Sequence, residues 1–590
     1  MKEEISLKYI FKLLLENRKF LILGQIVTFI AILISIPIPL MLPILVDEIL
    51  LDKPDFFVNN INSIFGNGDA FYYISIVTLV VIALRLIHFL FSVIINKIFI
   101  YISKYVTFEI RKKLLEHLQL VNMNEYENLG SGAIAANLIT DVNTLDNFII
   151  SVASKFVASV LTLIAVAVVI IAINPILGLM ILFIQPIIML LSKKISKKTG
   201  VLKKKENEAI SNFQNNIGET LDLFGQIKAS NKENFFFTDA INKAKNIQTT
   251  SNEYNYKSLA YERFSFTIFL VAFEIFRATG LILVEYNDLT IGMMFAMFGY
   301  IWFIMTPVQD ILTIQYSYAS ANAAINRLNK IFNLKLEKNG KEELCINTKE
   351  IDISIKDLNF SYDNKKNILE NISLDIKSGE KIALIGASGS GKTTLAQLIS
   401  GFYEKNQGKI LYNFINIDNL SKQSLRKNIF LVLQMPILFN NTLRFNITMG
   451  EKDISDEEIF HALNIAQLED VVKNMNDGLD TIVGKHGVRL SGGQRQRLSI
   501  ARMVIANPAV VIFDESTSAL DVHTEAKLFN SLTPILKNKT VITIAHRLST
   551  VKNASMIYVL NDGKIVQRGT HKKLEEEEGH YSDFVKNQLN

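Results

Sequence analysis

The sequence predicts two architectures in one chain: an α-helical half embedded in a membrane, then an α/β half of soluble character. Three observations carry the division. Of the 590 residues, 49% are hydrophobic and 20% charged, and the mean hydropathy of +0.25 is high for a soluble protein. The apolar excess lies before about residue 320, in runs long enough to cross a bilayer. Beyond about residue 350 the composition is ordinary, and a Gly-rich loop there stands between an apolar strand and an apolar helix.

The helical half begins with a surface element. Leu7, Ile10, Phe11, Leu14 and Leu15 fall at helical spacing among Lys8, Lys12 and Arg18, which predicts a short amphipathic helix lying on the membrane. The first 19 residues mix acids and bases and lack a short apolar core with a small-residue cleavage site, so they do not read as a signal peptide. Six runs of bilayer length follow, near 20–46, 71–95, 149–173, 175–191, 264–284 and 290–311, with Asn174-Pro175 turning the third into the fourth. Asp47, Glu48, Asp52, Asp55 and Asp69 lie between the first two runs, and Glu285 and Asp288 between the last two. Lys193, Lys194, Lys197, Lys198, Lys203, Lys204 and Lys205 flank the opposite side, so the positive-inside bias places both termini in the cytoplasm.

Two cytoplasmic connections, 96–148 and 192–263, are far longer than helix joints need, and each is helical in pattern and free of Pro. They predict membrane helices that continue into the cytoplasm as stiff arms, turning at 129–132 in one and at 218–225 in the other. Arms of this kind reaching toward the soluble half suggest mechanical coupling. The expected domains are therefore 1–335 in the membrane, a linker at 336–350, and a soluble domain at 351–590. The net charge of +5 does not require nucleic acid, because many bases sit beside membrane segments and suit the cytoplasmic leaflet. A single cysteine, Cys345, excludes an intrachain disulfide and a Cys-rich metal site.

The soluble half carries phosphate chemistry. Gly386, Ala387, Ser388, Gly389, Ser390, Gly391, Lys392, Thr393 and Thr394 follow the strand 381–385 and open the helix 394–399, which is the setting a phosphate-cradling loop requires. Backbone N–H groups there can wrap the phosphates, Lys392 can reach the β- and γ-phosphates, and the Thr393 hydroxyl can reach Mg²⁺. Further on, the apolar strand 510–513 ends in Asp514 and Glu515. Asp514 can hold Mg²⁺ through water, and Glu515 is placed to polarise an attacking water. Together these predict ATP hydrolysis with Mg²⁺.

The order phosphate loop, Gln434, Leu490-Ser491-Gly492-Gly493-Gln494, Asp514-Glu515, Ser518-Ala519-Leu520-Asp521 and His546 resembles the ABC transporter ATPase. The helical half resembles the exporter half-transporters of that superfamily, in which six spans precede one α/β P-loop ATPase, and 289–292 through Pro307 into 321–327 looks like their sixth helix. The resemblance implies that Tyr362 stacks on adenine, that Gln434 senses Mg²⁺ and the attacking water, and that His546 senses the γ-phosphate. It implies that Ser491 and Gly493 contact ATP held by a second subunit, and it brings Gly492, Gln494 and Asp521 to the same site. The segment 481–487 departs from the family, which usually has Glu where Lys485 stands; the resemblance puts that segment against the helical arms.

The implied function is ATP-driven export of an amphipathic drug, lipid, lipid-linked glycan or peptide by a dimer that alternates access. An importer on the same scaffold is the alternative, separable by the direction of transport in sealed vesicles. A chromosome-maintenance ATPase with the same signature would need long coiled coils in place of six spans. A leader-removing peptide exporter would carry an N-terminal cysteine protease, which is not expected in a chain that begins at its membrane elbow with Cys345 its only cysteine. Glu515 and the signature 490–494 are both intact, which predicts a homodimer with two working sites rather than a pair that shares out its defects. Abundant Ile, Lys and Asn hint at an AT-rich bacterial genome and hence a bacterial inner membrane. Arg85, His88, Glu274 and Arg277 fall within the second and fifth runs, where facing lipid is costly. They predict either a salt bridge between helices or a polar lining of the translocation cavity, with Arg277 near enough to the surface to snorkel.

Overall fold

The computed structural model describes residues 4–286, 288–344, 350–363, 365–484, 487–545 and 547–589. The chain divides into two compact units, Met1–Leu118 with Gly132–Asn333 and Gln119–Ser131 with Leu334–Asn590.

The first unit is helical throughout. Its surface helix, Leu7–Glu16, is capped by Ser6, whose hydroxyl accepts from Tyr9 N at 3.1 Å. Ile10, Leu13 and Leu14 are buried while Phe11 and Leu15 stay exposed, so the apolar stripe is wider than the protein covers, as suits a helix lying on lipid. The first long helix is broken into Arg18–Ser35, Pro37–Pro43 and a wide π-helical turn, Ile44–Leu50. Pro37, Pro39 and Pro43 remove three backbone donors, which explains the breaks. It extends beyond the expected end at residue 46, and Asp47 and Glu48 lie inside it rather than in a loop.

Five helical stretches are long and apolar enough to cross a membrane among the described residues: Arg18–Leu50, Ala70–Leu118, Ser131–Ile173, Glu233–Glu285 and Ile291–Ile311. The run expected at 175–191 falls on the helix Pro175–Asp222, whose side chains over 181–197 lie outside the described residues. Asn174 makes the turn between the third and fourth runs, its Oδ1 accepting from Ile176 N and Leu177 N at 3.0 and 3.2 Å. The helices Ala70–Leu118, Pro175–Asp222, Glu233–Glu285 and Ile291–Phe332 hold 49, 48, 53 and 42 residues. At about 1.5 Å per residue each is at least twice as long as the ~30 Å hydrocarbon core, so they continue well past it. There polar clasps add to apolar packing by Ile102, Val106, Val142, Leu145 and Leu328: Arg327 grips the buried Asp141 through Nε at 3.0 Å to both oxygens and Nη2 at 2.6 Å. Asp146 accepts from Ser103 at 2.6 Å and Lys104 at 2.5 Å. The second arm turns through the short helix Phe224–Ala229.

The last long helix packs closely on the broken first one. Gly299 faces Pro39, where a Cβ would lie 3.2 Å from the ring, and the Tyr300 hydroxyl donates to the Ile36 carbonyl at 2.6 Å. At its N-terminus the Asp47 carboxylate accepts from Gly292 N at 2.9 Å and Thr290 Oγ1 at 2.5 Å. A Cβ on Gly292 would fall 2.4 Å from that carboxylate and 2.6 Å from Pro43 Cα, so only glycine fits.

The second unit is the α/β half. A six-stranded sheet runs in the order 564–569, 556–561, 381–386, 540–544, 510–514, 429–432, parallel except for its first edge strand. The interior strand 510–514, between 540–544 and 429–432, is buried at every residue, which is why it reads as unbroken Val-Val-Ile-Phe. A four-stranded antiparallel sheet, 369–376, 353–360, 407–412 and 415–416, packs into the same core. The stretch expected as a linker is strapped to this unit: Lys338 N donates to Glu404 Oε1 at 2.8 Å, Glu342 N to Asn419 O at 3.0 Å, and Leu344 N to Ser424 Oγ at 2.9 Å. Cys345 lies outside the described residues.

Candidate nucleotide site

The phosphate loop leaves its strand at Gly386 and enters the helix Lys392–Ile399 through Gly391, whose φ of 95° is left-handed. A Cβ at 391 would meet Leu369 Cδ2 at 2.5 Å and one at 386 would meet Leu560 O at 2.0 Å, so glycine is required sterically at both ends. Ala387, Ser388 and Gly389 are exposed at the crest, whereas Ser390, Gly391, Lys392 and Thr394 are buried beneath it. The Lys392 ammonium folds back on the loop, donating to the carbonyls of Gly386 and Ala387 at 2.9 Å each. Burial pushes its pKa below the ordinary lysine value, and the charges of Glu515 and Asp514 pull it back up. The Ser390 hydroxyl is buried and has no hydrogen-bond partner among the described residues. A buried hydroxyl left so costs about 1–3 kcal/mol, and a phosphate oxygen or a water would satisfy it.

Asp514 and Glu515 stand at the end of the strand 510–514, one strand removed from the loop in the sheet. Thr393 Oγ1 lies 3.1 Å from Asp514 Oδ1, two oxygen donors side by side as a hard, oxygen-seeking cation needs. Glu515 takes φ = 44°, a strained conformation for a carboxylate residue. Its Oε2 accepts from Gln434 Nε2 at 2.6 Å. Thr393 and Asp514 could hold such a cation between them, and Gln434 reaches this corner through Glu515.

Gln496, which sequence reasoning passed over, organises this corner. It is 4% exposed, and its amide donates to the Gln434 carbonyl at 3.0 Å and Ser518 Oγ at 3.2 Å while accepting from Ala519 N at 3.1 Å. One side chain therefore ties together the Gln434 loop, the signature helix and the turn before Asp521. A second unanticipated link joins that turn to the segment after residue 546. Arg547 forms an ion pair with the buried Glu525 and donates to Leu520 O at 3.0 Å, and Glu525 also accepts from Thr517 Oγ1 at 2.7 Å. His546, Lys485 and His486 lie outside the described residues.

The signature residues form a helix start. Ser491 caps Gly492–Ala506, its hydroxyl accepting from Gln494 N at 3.2 Å while Gln494 Oε1 accepts from Ser491 N at 2.8 Å. A Cβ on Gly493 would meet Leu520 Cδ2 at 2.9 Å, so this position is closely covered, while Ser491 and Gly492 are exposed. Asp521 caps the next helix, accepting from Thr524 N at 2.9 Å, and the Thr524 hydroxyl and amide hold its carboxyl below the usual range. Tyr362 is 36% exposed beside the loop, its hydroxyl 3.1 Å from Thr394 Oγ1. The structure thus brings Lys392, Thr393, Gln434, Asp514 and Glu515 together, and leaves the capping hydrogen bonds of Ser491 and Gln494 local to their own helix.

In the helical unit, Glu274 and Arg277 pair with each other along one helix at 2.5 Å, and their side chains are 54% and 50% exposed. Arg85 is also exposed, and among the described residues no ion pair joins it to an acid on another helix. A second charged pair, Lys155 with Asp310 at 3.7 Å, links the third and last long helical stretches.

Comparison with known proteins reports on both halves. The family model described as ABC transporter matches residues 369–518, and that described as ABC transporter transmembrane region matches 21–308. An uncharacterized ABC transporter ATP-binding protein of Bacillus subtilis (strain 168) is 33% identical over 485 residues, covering 80% of this chain and 83% of that protein. A protein of Staphylococcus aureus (strain NCTC 8325 / PS 47), described as a multidrug export ATP-binding/permease protein, is 32% identical over 488 residues, covering 81% and 83%. A solved bacterial Atm1-family ABC exporter with ATP bound superposes with a TM-score of 0.83 at 22% identity, over 97% of this chain and 100% of that one, and so shares the fold.

Proposed function

The chain belongs to the ABC transporter family as a fused exporter-type half-transporter, and we propose that two copies assemble to export an amphipathic substrate by alternating access. It is a multi-pass membrane protein whose ATPase domain binds ATP and couples hydrolysis to transport. The proposal adds six spans at the expected positions, a bacterial inner membrane, and both termini with the ATPase in the cytoplasm. The substrate is a drug, a lipid or lipid-linked molecule, or a peptide; the Staphylococcus relative's description, multidrug export, favours the first.

The observation that carries this reading is the convergence of Lys392, the Thr393–Asp514 pair and the Gln434–Glu515 pair. Lys392 would exchange its two loop carbonyls for phosphate oxygens, and Ser390 would gain the acceptor it lacks. Tyr362 would stack on adenine. Glu515, held by Gln434, would orient and polarise the water that attacks the γ-phosphate. Bound Mg²⁺ would neutralise developing charge on the phosphates, with Thr393, Asp514 and Gln434 as its protein contacts. His546 would contact the γ-phosphate. Ser491 and Gly492 stand exposed at the capped helix N-terminus that they form with Gly493 and Gln494, which suits the phosphates of ATP held by a partner copy.

Reconstitution tests the whole. Protein expressed alone should be dimeric and hydrolyse ATP, and drugs, lipids and peptides should be compared for stimulation and for transport into inside-out vesicles. An inactive monomer, or movement in the opposite direction, refutes the proposal.

A further inference from the structure

The short helix Met123–Leu129, at the turn of the first cytoplasmic arm, belongs to the same compact unit as the nucleotide site. Its entry is fixed by a bridge between Val121 and Leu336 and by Asn122, whose Oδ1 accepts from Asn124 N at 2.9 Å. Two of its side chains reach the aromatic cluster around Tyr362. Asn124 Nδ2 donates to the Tyr362 carbonyl at 3.2 Å, and Glu127 Oε2 accepts from the Tyr403 hydroxyl at 2.8 Å. Tyr403 is 7% exposed and lies edge-on to Tyr362, with ring centroids 5.2 Å apart and planes at 87°. Phe360 packs against both rings, at 4.8 Å from Tyr362 and 6.0 Å from Tyr403.

The phenol of Tyr403 is what calls for explanation. A buried hydroxyl must find an acceptor, and this one finds it on a residue 276 positions earlier in the chain. Phenylalanine would fill the same space and need no partner. Burial, together with the Glu127 charge, pushes the phenol's pKa up, so it stays protonated and remains a donor. If the turn moved, that donor would be orphaned and the ring against which Tyr362 leans would lose its anchor.

We propose that Glu127 and Tyr403 are positioning residues for the adenine base, so that the turn of the first arm and the base of ATP are held by one shared set of aromatic contacts. Coupling of this kind is reciprocal: a base that orders Tyr362 tightens the hold on Met123–Leu129 to the same degree that the turn improves base binding. The inference rests on the reading of Tyr362 as the stacking ring.

The test uses the full chain in lipid, with Mg²⁺ chelated to stop hydrolysis, and compares dissociation constants for ATP and for tripolyphosphate, which has no base. Tyr403→Phe and Glu127→Ala should each weaken ATP about two- to tenfold, the range of one net hydrogen bond, and leave tripolyphosphate unchanged. Glu127→Gln keeps an acceptor and should restore most of the loss, and the double variant Glu127→Ala/Tyr403→Phe should be no weaker than the weaker single. If Tyr362→Ala weakens ATP while Tyr403→Phe and Glu127→Ala do not, the inference is overturned and the stacking role stands. Equal weakening of ATP and tripolyphosphate also overturns it, because a general loss of structure would act on both. If Tyr362→Ala leaves ATP affinity intact, the stacking role falls first and the inference with it.

Discussion

Replacing Gln496 by Leu should uncouple hydrolysis from binding. Leucine matches the volume of the side chain but abolishes all three of its hydrogen bonds, those with the Gln434 carbonyl, Ser518 Oγ and Ala519 N. Net contributions of about 0.5–1.5 kcal/mol per bond put the loss at about 2–4 kcal/mol, the upper part applying if the two backbone groups stay unpaired. That is less than the ~5–15 kcal/mol that holds a typical domain together, so the unit should remain folded. The lesion falls on the anchor of Gln434, and hence on the 2.6 Å contact that orients Glu515. A misplacement of about 1 Å there can cost on the order of 10²-fold in rate. The phosphate loop is untouched, since Lys392 and Thr393 make no contact through Gln496. Steady-state ATPase in lipid, with ATP affinity measured in parallel, should therefore show a kcat at least tenfold lower and a dissociation constant within about twofold. A kcat within twofold of the unmodified protein would refute the reasoning, and so would a matching loss of ATP affinity.

Glu515→Gln should nearly abolish turnover while ATP stays bound and the ATPase domains stay closed on each other, whereas Lys392→Ala should weaken nucleotide binding itself; trapped-nucleotide assays separate the two. Arg85→Ala or Glu274→Ala should shift substrate stimulation of the ATPase more than basal turnover if these side chains line the cavity. Rescue of a destabilised single variant by a charge-swapped pair would instead support a structural bridge, although Glu274 already has Arg277 as its ion-pair partner. Gly292→Ala should lower thermal stability in detergent by about 1–3 kcal/mol, as overpacking against a backbone atom does, because Pro43 Cα at 2.6 Å cannot move as a side-chain tip can. Gly132→Ala, at a site with open space, is the control.

The phosphate loop was legible because its glycines answer to local geometry: Gly391 must turn left-handed into a helix, and Gly386 must pass a neighbouring strand's carbonyl. The strand ending in Asp514 was legible for a similar reason, since burial on both faces leaves an unmistakable apolar run. Gln496 was not legible. Nothing about a glutamine four residues into a helix shows that it is 4% exposed or that its amide meets two other loops. Glu525 and Arg547 share that obscurity, because a buried ion pair is made by chain segments that the sheet order brings together. The first arm was expected to stay helical up to a turn at 129–132, whereas its long helix ends at Leu118 and a separate helix, Met123–Leu129, follows. Its attachment to the α/β unit depends on a bridge to Leu336 and on Tyr403, neither of which is near it in sequence.

The membrane half shows the same limit through a single carboxylate. Asp47 entered the sequence argument as one negative charge among five, useful for deciding which side of the membrane a loop faces. The chain around it is still helical, and the carboxylate has a specific task at the N-terminus of the last long helix, where the Gly292 amide points at it and the helix dipole favours its charge. That contact also explains two features that had been read only as a resemblance: Thr290 caps the helix and donates to Asp47, and Gly292 leaves the space in which the carboxylate sits. Three prolines upstream break the first helix and allow the wide turn on which Asp47 lies. A sequence pattern thus marked residues 289–292 as special, but the cause lay some 240 residues away, in a contact that charge counting could not reveal.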